Sequence, residues 1–90
     1  MKFEWDPAKS LTNRAKHGID FTEAKDLWID ENRIEIDLPY PVESRHILIG
    51  KLNDKRWTAV YTLRDENIRI ISVRRSRQRE AALYDKEKIG

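Results

Sequence analysis

Between Arg69 and Arg79 the chain carries five arginines, Arg69, Arg74, Arg75, Arg77 and Arg79, and no lysine. A guanidinium is a planar fork of donors that grips a phosphate or a carboxylate through two parallel bonds, which an ammonium cannot do. The natural partner of such a stretch is a polyanion. The plainer reading is a solvated helix face whose charges pair with Glu80, Asp85 and Glu87. The rest of the charge points the same way. Residues 1–45 hold seven Lys/Arg against ten Asp/Glu and residues 46–90 eleven against six, within a total of +2.

Other chemistries are closed off by composition. Without cysteine there are no disulfides, thiol nucleophiles or thiolate metal sites, and the reducing cytoplasm is the expected compartment. Gly18, Gly50 and Gly90 are too few and too scattered for a phosphate loop or a dinucleotide fingerprint. Ser10, Ser44, Ser72 and Ser76 stand in no nucleophile-elbow context. His17 and His46 lack metal-ligand spacing, so neither a metal nor a cofactor is expected. His17 precedes Gly18, where an imidazolium would complement a helix dipole; its other reading is a proton-transfer group. His46 has no visible partner and reads as incidental. Lys9 and Lys16 are seven apart, hence on one helix face. They either extend a nucleic-acid track, meet an acidic stretch of a partner protein, or simply snorkel.

These groups must be positioned by a small scaffold. Ninety residues, 10.8 kDa, allow one core and a single domain over residues 1–90. The 39% of hydrophobic residues supply that core, and the 38% of charged residues a heavily charged surface. No apolar run approaches the roughly 18 residues of a membrane span, so no membrane association is expected. Met1–Asp6 carries acids where a signal peptide needs an apolar stretch. Lys2–Trp5 reads as a short edge strand. Asp6-Pro7 starts a helix that stops at Gly18. Asp20 and Glu23 form a box-like start to a second helix, with Phe21, Ala24, Leu27 and Trp28 on one stripe.

From Arg33 the period changes to two. Strands are expected at residues 33–38, 45–52, 56–64 and 68–74, turning at Asn53-Asp54 and Asp65-Glu66-Asn67. Ser76 is the expected cap of a last helix running to about Lys86. The fold class is therefore α+β: a four-stranded antiparallel meander with a short N-terminal strand, packed by an N-terminal helix hairpin and a C-terminal helix. Trp57, Ala59, Tyr61 and Leu63 should face the helices, Trp28 and Trp57 the core. Arg56, Thr58, Val60, Thr62 and Arg64 should form a polar face. If Ser72 and Arg74 share that face, hydroxyls and guanidiniums stand side by side, as suits single-stranded nucleic acid.

Phe3-Glu4-Trp5-Asp6-Pro7, then Lys16-His17-Gly18-Ile19 with Phe21 and Ala24, then Ile68-Arg69-Ile70-Ile71-Ser72-Val73-Arg74-Arg75 with Arg79, Glu80 and Tyr84, resemble the BrnT family of bacterial type II toxins. The likeness is collinear from Phe3 to Tyr84. It implies a RelE-like fold and an endoribonuclease that blocks translation. It also implies a BrnA-type antitoxin that neutralises the toxin in a hetero-oligomer, with DNA bound only through that complex. Arg64, in Tyr61-Thr62-Leu63-Arg64, matches the family's basic residue at the end of this strand. Pro39–Ser44 resembles its variable region.

RNA can be cut by its own 2′-hydroxyl attacking the adjoining phosphate, with arginines holding the extra negative charge. Arg64 and Arg74 are the first candidates for gripping that phosphate, with Arg79 reaching the same groove. Tyr84 and His17 are the candidate proton-transfer groups, Tyr84 alternatively a core-edge residue. Arg56, Thr62, Arg69, Ser72, Arg75, Arg77, Lys9 and Lys16 are the candidate RNA contacts. Trp5 is read as core or as an anchor for the antitoxin. Two other readings use the same residues: a non-catalytic nucleic-acid-binding or regulatory module, and an interaction domain docking an acidic protein.

Overall fold

The structure is a computed structural model describing residues 2–38 and 45–89, with side chains as far as Lys86. The loop expected at Pro39–Ser44 and the side chain of Glu87 lie outside the described residues. Asp6 caps α1 (Pro7–His17), its Oδ1 accepting from the Ala8 N–H at 2.9 Å, with Pro7 at the first helical position. Gly18 closes the helix at φ 80°, a left-handed conformation that glycine adopts without a Cβ clash. Asp20 and Glu23 bond each other's backbone N–H reciprocally and open α2 (Phe21–Ala24).

The second helix is shorter than its apolar stripe implies. After one α turn the chain tightens into a 3₁₀ segment, Lys25–Ile29. The stripe still enters the core: Phe21, Ala24 and Leu27 are fully buried, and Trp28 meets Phe3 and Tyr61 edge-on at centroid distances of 5.2 Å.

The expected α+β architecture is present. β2 (Ile34–Leu38), β3 (Arg45–Leu52), β4 (Lys55–Arg64) and β5 (Asn67–Arg75) form the antiparallel meander. β1 (Phe3–Glu4) joins it in parallel with β5, giving the order β1-β5-β4-β3-β2. α3 (Gln78–Ile89) follows β5. No helix among the described residues is long and apolar enough to cross a membrane.

Three local expectations are corrected. Ser76 is not the cap of α3. Its hydroxyl pairs with Thr58 Oγ1 at 2.8 Å, and Arg77 opens the helix, its N–H donating to Glu80 Oε1 and its C=O accepting from Ala81 N–H. Leu63 is 53% exposed, because it sits at the strand end beyond the helices. Thr58, expected on a wet face, is fully buried, since α2 and the 3₁₀ segment cover one face of the sheet and α3 part of the other.

β5 also departs from strict alternation. Val60 pairs with Ser72 but Tyr61 with Ile70, so Ile71 is a bulged extra residue. The bulge swaps the faces of the strand's two halves. Ile68, Ile70 and Val73 all enter the core, and Arg69, Ser72 and Arg74 lie opposite Thr62, Val60 and Thr58 on the other face.

Beyond Arg69 the outer edge of β5 has no strand neighbour among the described residues, and Asn13 takes that place. Its Oδ1 accepts from the Val73 N–H at 3.1 Å, and its Nδ2 donates to Val73 O and Ile19 O at 2.8 Å each. One carboxamide thus satisfies both backbone groups of an edge residue and draws α1 alongside β5. Asn13→Ala is expected to cost about 2 kcal/mol, as it strands three buried partners. Urea unfolding at neutral pH measures this; an unchanged midpoint would show that water replaces the amide freely.

Candidate nucleic-acid interface

Two tight turns set the geometry of the site. Asn53 and Asp54, then Asp65 and Glu66, have φ values of 53°, 63°, 51° and 73°. Two left-handed residues in succession are the hairpin turn that matches strand twist, and they fix the register on each side. Across β4 and β5 this register sets Thr62 opposite Arg69, and β1 sets Glu4 beside Arg69. Across β3 and β4 the last pair is His46 with Tyr61, so the next step along brings Arg45 beside Thr62. Arg45, Thr62, Arg69 and Glu4 thus form one row across four strands.

This row opens into a hollow of about 360 Å³ lined by Lys9, Arg45, Thr62, Arg64, Arg69 and Ile71. Arg64, at the hairpin end of β4, is 59% exposed at its side chain, and Arg69 is 35% exposed. Glu4 Oε1 lies 3.9 Å from Arg64 Nε and 3.8 Å from Arg69 Nη1. That carboxylate holds both guanidiniums near one place, yet at those distances leaves their donors available. Beneath them Thr62 is 1% exposed, and its Oγ1 has no hydrogen-bond partner among the described residues. The bulged Ile71 and Lys9 also line an adjoining hollow of about 280 Å³ with Lys16, His17 and Ser72. The two hollows form a basic track along α1 and the β5 edge.

Seven residues expected to bind or act on RNA fall on this track: Lys9, Lys16, His17, Thr62, Arg64, Arg69 and Ser72. The others do not. Arg64 and Arg74 lie opposite Asn67 and Thr58, at the two ends of β4. At ~3.3 Å per residue the strand separates them by roughly 20 Å, beyond the reach of two side chains to one phosphate. The expected shared hollow of Arg64, Arg74 and Arg79 is therefore not formed.

Arg74 instead makes a bidentate pair with Glu80, Nη1 to Oε1 at 2.7 Å and Nη2 to Oε2 at 2.9 Å. The Arg74 guanidinium, aided by the Arg77 N–H and the Thr58 hydroxyl, holds the Glu80 carboxyl down at about 2. Arg56 is paired likewise with Asp85, both bonds at 2.8 Å. Arg75 lies over the Trp57 ring at 5.6 Å, and Arg77 and Arg79 are exposed near the start of α3.

Tyr84, expected as a proton donor or a core-edge residue, is buried and donates to Asp30 Oδ2 at 2.8 Å. Burial and that carboxylate push its phenol up to about 12. It borders a wider cavity of about 520 Å³ that is acidic, with Asp26, Asp30 and Asp54 in its walls, and so is a poor seat for phosphate.

Two residues of interest escape sequence reasoning. Arg45 stands alone in the chain, outside any charge run. Counting back from the Asn53-Asp54 turn would have placed it beside Thr62. His46 does have a partner: its Nδ1 lies 2.6 Å from Asp37 Oδ1, and its ring stacks on Tyr61 at 5.2 Å. It lies on the opposite face of the sheet from Thr62, because its cross-strand partner Tyr61 is the next residue along β4.

No curated protein is a significant match to the chain. Residues 5–80 match the family model described as the ribonuclease toxin, BrnT, of a type II toxin–antitoxin system. With that match spanning most of its length and an arginine-lined track on its surface, the chain belongs to the BrnT family of ribonuclease toxins, whose partner is an antitoxin protein.

Proposed function

We propose that this ribonuclease cuts RNA without a metal, at the hollow lined by Lys9, Arg45, Thr62, Arg64 and Arg69. The observation that carries the reading is that four cationic side chains, from α1, β3, β4 and β5, line one hollow with Thr62. The ribose 2′-oxygen attacks the adjoining phosphorus, and the bond from phosphorus to the 5′-oxygen breaks. One proton leaves the 2′-hydroxyl and one joins the departing 5′-oxygen. Charge accumulates on the phosphoryl oxygens between these events, and Arg64 and Arg69 are placed to hold it. A lining of cations repels a divalent ion, which needs oxygen ligands. His17 is the imidazole on the adjoining stretch of track. About 12 Å of helix separates it from Lys9, so the two address neighbouring nucleotides. A BrnA-type antitoxin neutralises the toxin and supplies DNA binding to the complex.

The purified chain, incubated with single-stranded RNA in excess chelator, tests this. Fragments ending in 2′,3′-cyclic phosphate and 5′-hydroxyl are expected, and co-purified antitoxin should suppress them. Fragments with 5′-phosphate ends, or cleavage that stops on chelation, would overturn the mechanism.

A further inference from the structure

Thr62 presents a buried hydroxyl with no partner among the described residues. Such a group costs stability, because it has left water without a replacement hydrogen bond. Nothing in the packing compels it: a valine has the same shape, and neighbouring β4 positions are filled by Val60 and Ala59. Thr62 instead lines the hollow where Lys9, Arg64 and Arg69 gather, with its hydroxyl buried in the wall. Flexible cations supply charge at the rim. A β-branched side chain in the middle of a sheet supplies a donor fixed in direction. Glu4 is not the acceptor for this hydroxyl, which has no partner among the described residues; its Oε1 lies 3.8–3.9 Å from Arg69 and Arg64 instead.

We propose that the hollow is a self-contained oxyanion site, in which Thr62 Oγ1 donates a hydrogen bond to a phosphate oxygen while Arg64 and Arg69 bind from above. The site takes a tetrahedral phosphate group whether it is part of an RNA strand or free in solution. Inorganic phosphate therefore occupies it alone and competes with RNA. The inference rests on the ribonuclease reading only for its RNA arm.

The test uses the full chain as wild type, Thr62→Val and Thr62→Ser, with inorganic phosphate as the probe at low ionic strength. Binding is followed by amide chemical shifts of residues 62–71 and by the rise in melting temperature with phosphate. Wild type and Thr62→Ser should bind phosphate alike. Thr62→Val should bind about tenfold more weakly, the loss of one hydrogen bond to a charged acceptor. Without phosphate, Thr62→Val should melt at or above the wild-type temperature, since an unpaired hydroxyl is replaced by a methyl. Equal phosphate affinity in Thr62→Val, a lower melting temperature in phosphate-free buffer, or no phosphate binding by wild type would each overturn the proposal. The arms separate the two claims. Thr62-dependent phosphate binding without RNA cleavage sinks the ribonuclease mechanism and leaves the oxyanion site. RNA cleavage that phosphate does not inhibit, with Thr62→Val as active as wild type, does the reverse.

Discussion

Replacing Arg64 and Arg69 together by alanine is expected to slow RNA cleavage by about 10³-fold or more, the loss associated with removing preorganised donors from a developing oxyanion. The fold should survive. Both side chains are substantially exposed, and their contacts with Glu4 lie at 3.8–3.9 Å, where an ion pair contributes little to stability. Arg64→Lys separates charge from geometry: it keeps the cation and loses the fork, so it should retain binding better than rate. Arg79→Ala, far along the chain on α3, should cut RNA within a few-fold of wild type. Single-turnover cleavage of a labelled RNA at fixed salt reads all four proteins. A double variant as fast as wild type would move the active site away from this hollow.

Arg74→Ala should behave in the opposite manner, with stability lost and chemistry largely kept. Glu80 is 16% exposed at its side chain and Arg74 24%, and together they carry two short charge-assisted bonds. Removing the arginine leaves a partly buried carboxylate facing the Thr58 hydroxyl and one backbone N–H. The expected cost is about 3 kcal/mol, the low end for breaking a buried pair. In a domain of this size that lowers the melting temperature by about 15 °C.

The same pair sets an acid limb. Glu80 titrates near 4.5 when unfolded and about 2 when folded. Its contribution is therefore complete above the higher value and disappears as the pH falls toward the lower. Wild type should lose stability progressively across that window. Glu80→Gln should start less stable at neutral pH and lack this component of the acid limb. Urea midpoints from neutral to strongly acidic pH test both statements. A wild-type curve that is flat below pH 4.5 would show that the pair is not maintained in solution.

Much of this fold is written locally. Asp6-Pro7, Gly18 and the Asp20–Glu23 box mark helix ends because caps act within a turn of chain. The turns at Asn53-Asp54 and Asp65-Glu66 are equally local, and they carry more than loops: each fixes which residues face one another across a hairpin. Thr62, with Arg69 on one side and Arg45 on the other, follows from them. The parallel docking of β1 on β5 and the bulge at Ile71 have no such local mark. They arise where a strand must satisfy a core on one face and a helix along its edge at once. The same holds for His46, whose partner Asp37 sits in another strand.

The sequence alone determined the order of elements, the places of the hairpin turns, the basic character of the second half and the likeness to a toxin family. Each of these depends on neighbours in the chain or on composition. Only the tertiary structure decided which arginines are tied closely to an acid. Arg56 and Arg74 are paired with Asp85 and Glu80 on α3, whereas Arg64 and Arg69 stand over Thr62. An arginine's role depends on the nearest carboxylate in space, and closeness in the chain does not measure that distance once strands and helices have packed.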